Sequence, residues 1–388
     1  MRVVGLFAGI GGLEFGLDLA GHETRLLCEI DEGARSILAR RYPDLPIEGD
    51  VRELPSLPDT DLVAAGFPCQ DLSMAGRKTG IRGDNSGLVE HLFRLLDGRS
   101  GSGPTWLLLE NVPYMLHLDR GKAMHFLTTS LEARGFSWAY RVVDARAFGI
   151  PQRRLRVVLL ASRTEDPRDV LLSENYGQPP VDDSLRTVDE DRSYGFYWTE
   201  GKRGLGWTRD AVPTIKGGSG LGIASPPAVW VPRTGEIGTP DIRDVERLQG
   251  FPPDWTAPAV DVPGAKKGAR WLLVGNAVCT PVSRWVGEKL QESGEYDGST
   301  TGVLRGRWPM AAWGSGGKSY GVDLSTWPRR REGKTLEDFL NYPLKPLSRR
   351  ATAGFLKRAR ESETIRYSKE FLHAVELHLE RSASLSVR

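Results

Sequence analysis

Arg2-Val-Val-Gly-Leu6 runs directly into Phe7-Ala-Gly-Ile-Gly-Gly12. The first five residues read as an apolar strand. The next six read as a glycine turn, and Leu13–Ala20 reads as a helix. Glycines at a strand-to-helix turn let the backbone come close to a ligand. Glu14 stands where a dinucleotide fingerprint would have its third glycine, so G-x-G-x-x-G is absent. Taken alone, the turn is an ordinary tight turn.

Outward from this unit the pattern repeats. Thr24–Cys28, Asp61–Ala65, Thr105–Leu109 and Arg156–Ala161 are further strand candidates, while Glu32–Arg41, Gly87–Leu96 and Gly121–Arg134 are helix candidates. Strand-then-helix alternation predicts an α/β fold with a doubly wound, mostly parallel sheet over 1–163. Ligands of such sheets bind at the carboxyl ends of the strands. From 164 to 240 the alternation gives way to Gly, Pro, Trp, Tyr and Asp, including Tyr194-Gly-Phe-Tyr-Trp198. That stretch predicts a small loop-rich domain. A helical pattern returns from Asp241 through Leu248 and another starts near Thr280, so 241–290 is expected to rejoin the first domain. The tail, 291–388, differs in character; Phe371, Val375 and Leu379 stand four apart, on one helix face.

Composition bounds the classes. The 388 residues carry 39% hydrophobic and 26% charged side chains, ordinary for a globular protein. The N-terminus is not a signal peptide, and no apolar run is long enough for a membrane span. Cys28, Cys69 and Cys279 fit neither a disulfide framework nor a zinc motif, so free thiols, a cytoplasmic location and no metal are expected. Net charge is only +2. Residues 291–388 hold 17 Lys and Arg against 12 Asp and Glu, so positive charge leans toward the tail. A solvated face accounts for that lean as well as a nucleic-acid surface does.

Glu29 lies 20 residues beyond Gly9, the spacing at which an acid reaches a ribose diol. Asp50 ends the third strand position, where a carboxylate can accept from an adenine amino group. Either acid alone reads as a surface or capping residue; with the glycine turn they point to an adenosine-bearing cofactor. Next comes Gly66-Phe-Pro-Cys-Gln70, with Ser73 close behind, at the end of an apolar strand. A lone cysteine is usually a small buried apolar residue. Here Glu110-Asn-Val112 ends the neighbouring strand, and Gln152-Arg-Arg-Leu-Arg156 precedes another. Singly, Glu110 reads as a helix cap and the arginines as a surface patch. Together they place a nucleophile, an acid and paired arginines around one cleft.

Over residues 1–290 the chain resembles the DNA cytosine-5 methyltransferases of the bacterial modification type. The matching segments are Phe7–Gly12, Glu29, Asp50, Gly66–Gln70, Glu110–Val112, Gln152–Arg156, Arg247-Leu-Gln-Gly-Phe-Pro252 and Gly275-Asn-Ala-Val278. The resemblance implies a Rossmann-like methyltransferase sheet binding S-adenosyl-L-methionine. Phe7, Gly9, Gly11 and Gly12 would line the cofactor, with Glu29 on the ribose and Ile30 against the adenine. Asp50 and Val51 would hold the adenine edge, Leu88 would touch the cofactor, and Pro68 and Asn276 would border its methionine half. Cys69 would be the nucleophile, supported by Glu110, Arg154 and Arg156. Residues 164–240 would form a target-recognition domain, with Thr214, Gln70 and Ser73 at the DNA. Where the family often reads Arg-Gly-x-Leu-Phe, this chain has Asn85-Ser-Gly-Leu-Val89, so an arginine contact is not carried over.

The residue types suit the chemistry. Carbon 5 of cytosine is a poor nucleophile until a thiolate adds at carbon 6, which makes the ring an enamine. A buried carboxyl group with a raised pKa can protonate N3 as sulfur adds. The target base must leave the duplex stack first. Double-stranded DNA is therefore the expected substrate, in a restriction-modification or related defence role with a cognate endonuclease or defence protein as partner. A sister family with the same architecture acts on transfer RNA and is the alternative. The tail lies outside the family pattern. Its Trp308, Trp313 and Trp327 before Arg329-Arg-Arg331 predict an accessory packing domain with some contact to DNA.

Overall fold

A computed structural model describes residues 1–67, 87–98, 103–177, 185, 187–217, 224–266 and 268–384. The amino-terminal part runs β1 (Arg2–Leu6), α1 (Gly12–Leu19), β2 (Glu23–Cys28), α2 (Glu32–Arg41), β3 (Ile47–Glu48), β4 (Leu62–Ala65), α3 (Leu88–Asp97), β5 (Trp106–Asn111), α4 (Lys122–Glu132), β6 (Ser137–Asp144), β7 (Gln152–Arg153), β8 (Leu155–Ser162) and α5 (Pro167–Leu171). The middle part holds β9 (Tyr194–Phe196), β10 (Thr208–Arg209), β11 (Val212–Pro213), β12 (Ala228–Val231) and β13 (Glu236–Thr239), then α6 (Ile242–Arg247), α7 (Ala269–Asn276) and α8 (Thr280–Gln291). The tail adds β14 (Gly302–Val303), β15 (Ala311–Ser315), β16 (Lys318–Val322), α9 (Leu336–Phe339), β17 (Lys345–Pro346), α10 (Arg349–Arg360) and α11 (Lys369–Ser384).

Among the described residues, ten strands form the central sheet in the order β14-β16-β15-β6-β8-β5-β4-β1-β2-β3. Strand residues alternate between two cores. Val3, Leu62, Ala64, Trp106 and Leu108 face a core shared with α1, α2 and α8, while Val4, Val63, Ala65, Leu107 and Leu109 face one shared with α3 and α4. Burial on both faces is why these strands read as continuous apolar runs rather than as alternating ones.

The sheet is mixed rather than mostly parallel. From β3 to β5 every pairing is parallel. Beyond β5 every pairing is antiparallel. Helix α4 carries the chain across from β5 to β6, and β8 then returns to fill the gap between them. A return of that kind needs only a short connection, whereas a parallel neighbour needs a crossover.

A second, five-stranded antiparallel sheet has the order β10-β9-β12-β13-β17. Val229 and Val231 of β12 face the main core, and Ala228 and Trp230 face a separate aromatic core. Phe355 of α10 and Phe371 and Val375 of α11 complete that aromatic core. Phe371 meets Phe196 at 5.1 Å, Trp207 at 4.9 Å and Trp230 at 5.2 Å between ring centroids. Residues 291–388, expected as one accessory extension, thus divide between two sheets. β14 to β16 widen the central one, and β17, α10 and α11 join the second. Trp308 packs on Trp138 and Tyr140, Trp313 on Tyr320, and Trp327 is buried.

Candidate active site

The glycine turn takes left-handed backbone conformations, strained only at the non-glycine Phe7. Phe7, Gly9 and Gly11 all have positive φ, at 55°, 56° and 83°. Gly11 caps α1 in the left-handed region, which glycine adopts without a steric penalty. Space is open where a side chain on Gly9 would project. At Gly12 there is none: an added Cβ would lie 2.6 Å from the Val278 carbonyl oxygen. That close approach brings the Gly275–Val278 segment onto the turn, although some 260 residues separate them in the chain. Trp255 fastens the turn further by donating from its indole N–H to the Ile10 carbonyl at 2.9 Å.

Glu29 leaves β2 beside this turn. One carboxylate oxygen accepts from the Gly9 amide at 2.7 Å and the other from the Asp31 amide at 2.8 Å. Ile30 is 63% exposed, an unusual position for a large apolar side chain. Asp50 accepts from the Arg52 amide at 2.9 Å and pairs with its guanidinium, which holds the Asp50 carboxyl below its usual value. Val51 is buried, and Arg94 of α3 donates to its carbonyl at 2.9 Å. Leu88 begins α3 and packs partly buried against the sheet. Asn276 is exposed at the end of α7.

β4 ends at Ala65, in register with Leu109 of β5. Two residues on, the Phe67 carbonyl accepts from the Asn111 side-chain amide at 2.9 Å. The Phe67 ring also meets Phe7 edge-on at 6.4 Å. The end of β4, the glycine turn and the end of β5 therefore converge. Pro68, Cys69, Gln70 and Ser73 follow immediately and lie outside the described residues.

Glu110 is 8% exposed and pairs with Arg156 of β8, Oε1 to Nε 2.9 Å. Oε1 has no well-directed hydrogen-bond donor, so the contact is an ion pair rather than an aligned hydrogen bond. Burial raises the Glu110 pKa, and the positive charges of Arg156 and Arg154 oppose that rise.

Arg154 is 1% exposed and spends its terminal nitrogens on the carbonyls of Ile215 at 3.1 Å, Gly275 at 3.2 Å and Ala277 at 2.6 Å. Burial pushes its guanidinium pKa down to about 9, with the charge of Arg156 next in effect. Thr214 donates from its hydroxyl to the Arg153 carbonyl at 2.8 Å, and its own carbonyl accepts from Tyr197.

Several contributors escaped the sequence reading. The Gln152 side chain donates to the Leu248 carbonyl at 2.6 Å and accepts from the Ile215 amide at 3.1 Å. Gln249 donates to the Val274 carbonyl at 2.9 Å. With Arg154, these two glutamines bind β7, the segment after β11 (its parallel partner), α6 and α7 into one knot. Both belong to segments that carried the family resemblance, so the signal was present without the partners. Among the described residues no group of three His, Cys, Asp or Glu could hold a metal ion, and no helix is long and apolar enough to cross a membrane.

Comparison with known proteins bears on this geometry. A family profile described as C-5 cytosine-specific DNA methylase matches residues 1–198. The chain is 53% identical over 379 residues to the Type II methyltransferase M2.BsuMI of Bacillus subtilis (strain 168), covering 97% of each. It is 28% identical to the Type II methyltransferase M.NlaX of Neisseria lactamica, covering 75% of this chain and 96% of that one. Among solved structures, the Dnmt2 methyltransferase of S. pombe aligns with a TM-score of 0.53 at 17% identity, over 75% of this chain and 98% of that one. This last likeness concerns the fold.

Proposed function

Since the chain belongs to the C-5 cytosine-specific DNA methylases, we propose that Cys69 and Glu110 act together on one cytosine held at the carboxyl ends of β4 and β5. The protein is a DNA cytosine-5 methyltransferase with S-adenosyl-L-methionine as its methyl donor. The observation that carries the placement is the Asn111–Phe67 hydrogen bond. It ties the chain two residues before Cys69 to the residue after Glu110, and two residues of chain reach at most about 7 Å.

The cofactor fits the residues at the glycine turn. The open space over Gly9, the tethered carboxylate of Glu29 and the exposed Ile30 suit an adenosine lying across the ends of β1 and β2. Phe7, Gly9, Gly11, Gly12, Glu29, Ile30, Asp50, Val51, Pro68, Leu88 and Asn276 would hold it. Bound there, S-adenosyl-L-methionine supplies an electrophilic methyl group.

The chain's own residues do the rest. The Cys69 thiolate forms a bond to carbon 6 of the extruded cytosine, and the ring electron pair moves to carbon 5. Glu110, whose pKa burial raises, gives a proton to N3 and so removes the negative charge that builds on the ring. Arg156 orients that carboxyl group through the 2.9 Å pair. After carbon 5 is methylated it loses its proton to a base; the electron pair left at carbon 5 then re-forms the 5,6 double bond as the sulfur–carbon bond breaks, N3 returns its proton to Glu110, and the thiolate is regenerated. Arg154 braces the cavity wall through three carbonyls, and its charge favours the thiolate. Thr214 would meet the DNA from the segment after β11, and Gln70 and Ser73 from the segment after Cys69.

The Type II names of the relatives support a modification role, with a cognate endonuclease as partner in the cytoplasm. They do not favour transfer RNA as the substrate. Incubation with labelled cofactor, duplex DNA and transfer RNA tests the reading: label enters cytosine carbon 5 of DNA only. Cys69→Ser abolishes transfer and no longer traps on 5-fluorocytosine DNA. Retained turnover in that variant rejects Cys69 as nucleophile.

A further inference from the structure

Away from Glu110, four arginines gather around one concavity. Arg284 of α8 and Arg329, Arg330 and Arg331 line a hollow of about 380 Å³ with a single carboxylate, Glu288. Arg284 and Arg329 share that carboxylate at 2.8 Å and 3.0 Å. Arg330 lies over the Tyr176 ring. Arg331 is exposed, and its backbone amide is fixed by the Ala147 carbonyl at 3.0 Å. One acid against four guanidinium groups leaves three positive charges in the hollow. Arg330 and Arg331 also line an adjoining hollow of about 380 Å³ with Arg146 and Lys334, where four basic side chains face two acids, Asp210 and Glu332. Like charges held this close repel one another, and the arrangement is favourable once an anion enters. Arginine's planar fork matches phosphate oxygens in particular.

The patch lies at the informative end of the sheet. Val143 of β6 is in register with Arg156, the partner of Glu110. Arg146 follows three residues later, and Ala147 anchors Arg331. Asp210, which follows β10 of the second sheet, lines the adjoining hollow. The arginines thus stand where the two sheets meet, at the end of the central sheet where a DNA duplex would be methylated. None of them belongs to the motifs that carry the family resemblance.

We propose that Arg284, Arg329, Arg330 and Arg331 form a phosphate site for the DNA backbone beyond the target base pair, outside the cleft that takes the cytosine. The assignment rests on the protein's action on DNA. The patch neutralises phosphates without reading bases, so it adds affinity and salt dependence and leaves sequence choice untouched.

The test compares the full-length protein with the variant Arg330→Ala/Arg331→Ala, whose altered side chains are exposed and belong to none of the proposed catalytic or cofactor groups. Binding is followed by fluorescence anisotropy against salt, on duplexes of about 40 and about 12 base pairs carrying a site mapped by bisulfite sequencing. On the long duplex the variant's log–log salt slope falls by up to about 1.8, since each lost phosphate contact removes about 0.9. Its affinity drops several-fold there, while kcat, the methylated sequence and binding to the short duplex stay unchanged. An unchanged slope on the long duplex, with methyl transfer intact, overturns the phosphate site and leaves the methyltransferase standing. Equal losses on both duplexes also overturn it, because the arginines would then act at the target cleft. If the unmodified protein transferred no methyl group to duplex DNA, that reading and the phosphate site would fall together.

Discussion

Replacing Glu14 by Gln should stabilise the protein at alkaline pH and leave acid stability nearly unchanged. Glu14 sits in the first turn of α1 with no exposed surface, and neither carboxyl oxygen has a hydrogen-bond partner. It lies over β1 at Gly5, where any Cβ would collide with its carboxyl group. Burial, reinforced by the negative charges of Asp18 and Glu29, pushes its pKa from the ordinary 4.5 up to about 8. Between those two values the folded chain keeps a proton that the unfolded chain releases. Stability is therefore complete below about 4.5 and is lost as pH rises toward about 8. At about 1.4 kcal/mol per pH unit, the loss is on the order of 3 kcal/mol at neutral pH and approaches about 5 kcal/mol above pH 8. Local relaxation and water entry reduce these figures. Glutamine keeps the shape and has no proton to lose. Denaturant unfolding of both proteins from pH 5 to pH 9 measures the effect: the gap between variant and wild type should open steadily toward high pH. A gap that stays flat across that range, or that turns in favour of wild type as pH rises, refutes the account of Glu14 as a neutral buried acid.

Three further outcomes follow from the geometry. Glu110→Gln should lower kcat by about 10²–10⁴-fold, in keeping with loss of a proton donor. In wild type the rate should fall as pH rises through the raised Glu110 pKa, that limb should vanish in the Gln variant, and Arg156→Ala should move it to higher pH; a pH–rate profile decides. Phe371→Ala removes the ring that joins Phe196, Trp207 and Trp230, and should cost about 3–5 kcal/mol of stability in the second sheet. DNA binding should weaken while cofactor binding, followed by calorimetry, persists; equal loss of both would contradict an aromatic core confined to that sheet. Gly12→Ala should raise the KM for cofactor several-fold by pushing Val278 off the turn, and unchanged kinetics would show that the segment yields freely.

Local chemistry was readable from residue order. The strands at Arg2–Leu6 and Leu62–Ala65, the helix Glu32–Arg41 and the turn Phe7–Gly12 follow from apolar runs, capping and glycine placement over a few neighbouring residues. Glu29, Asp50 and Glu110 could be named as candidates because each lies at or just beyond a strand's carboxyl end, and a doubly wound sheet presents its strand ends together. What residue order concealed was pairing at long range. A strand does not encode its neighbour's direction, so the antiparallel half of the central sheet followed from β8 filling the space between β5 and β6. The tail showed helical spacing at Phe371 and Val375, yet its partners Phe196 and Trp230 lie well over a hundred residues earlier. The motif gave Arg154 its charge; that burial also commits its nitrogens to three carbonyls on two distant segments could not be read from residue order. Hydrophobic burial and backbone hydrogen bonding act on whichever groups folding brings together, and that meeting is a property of the assembled chain.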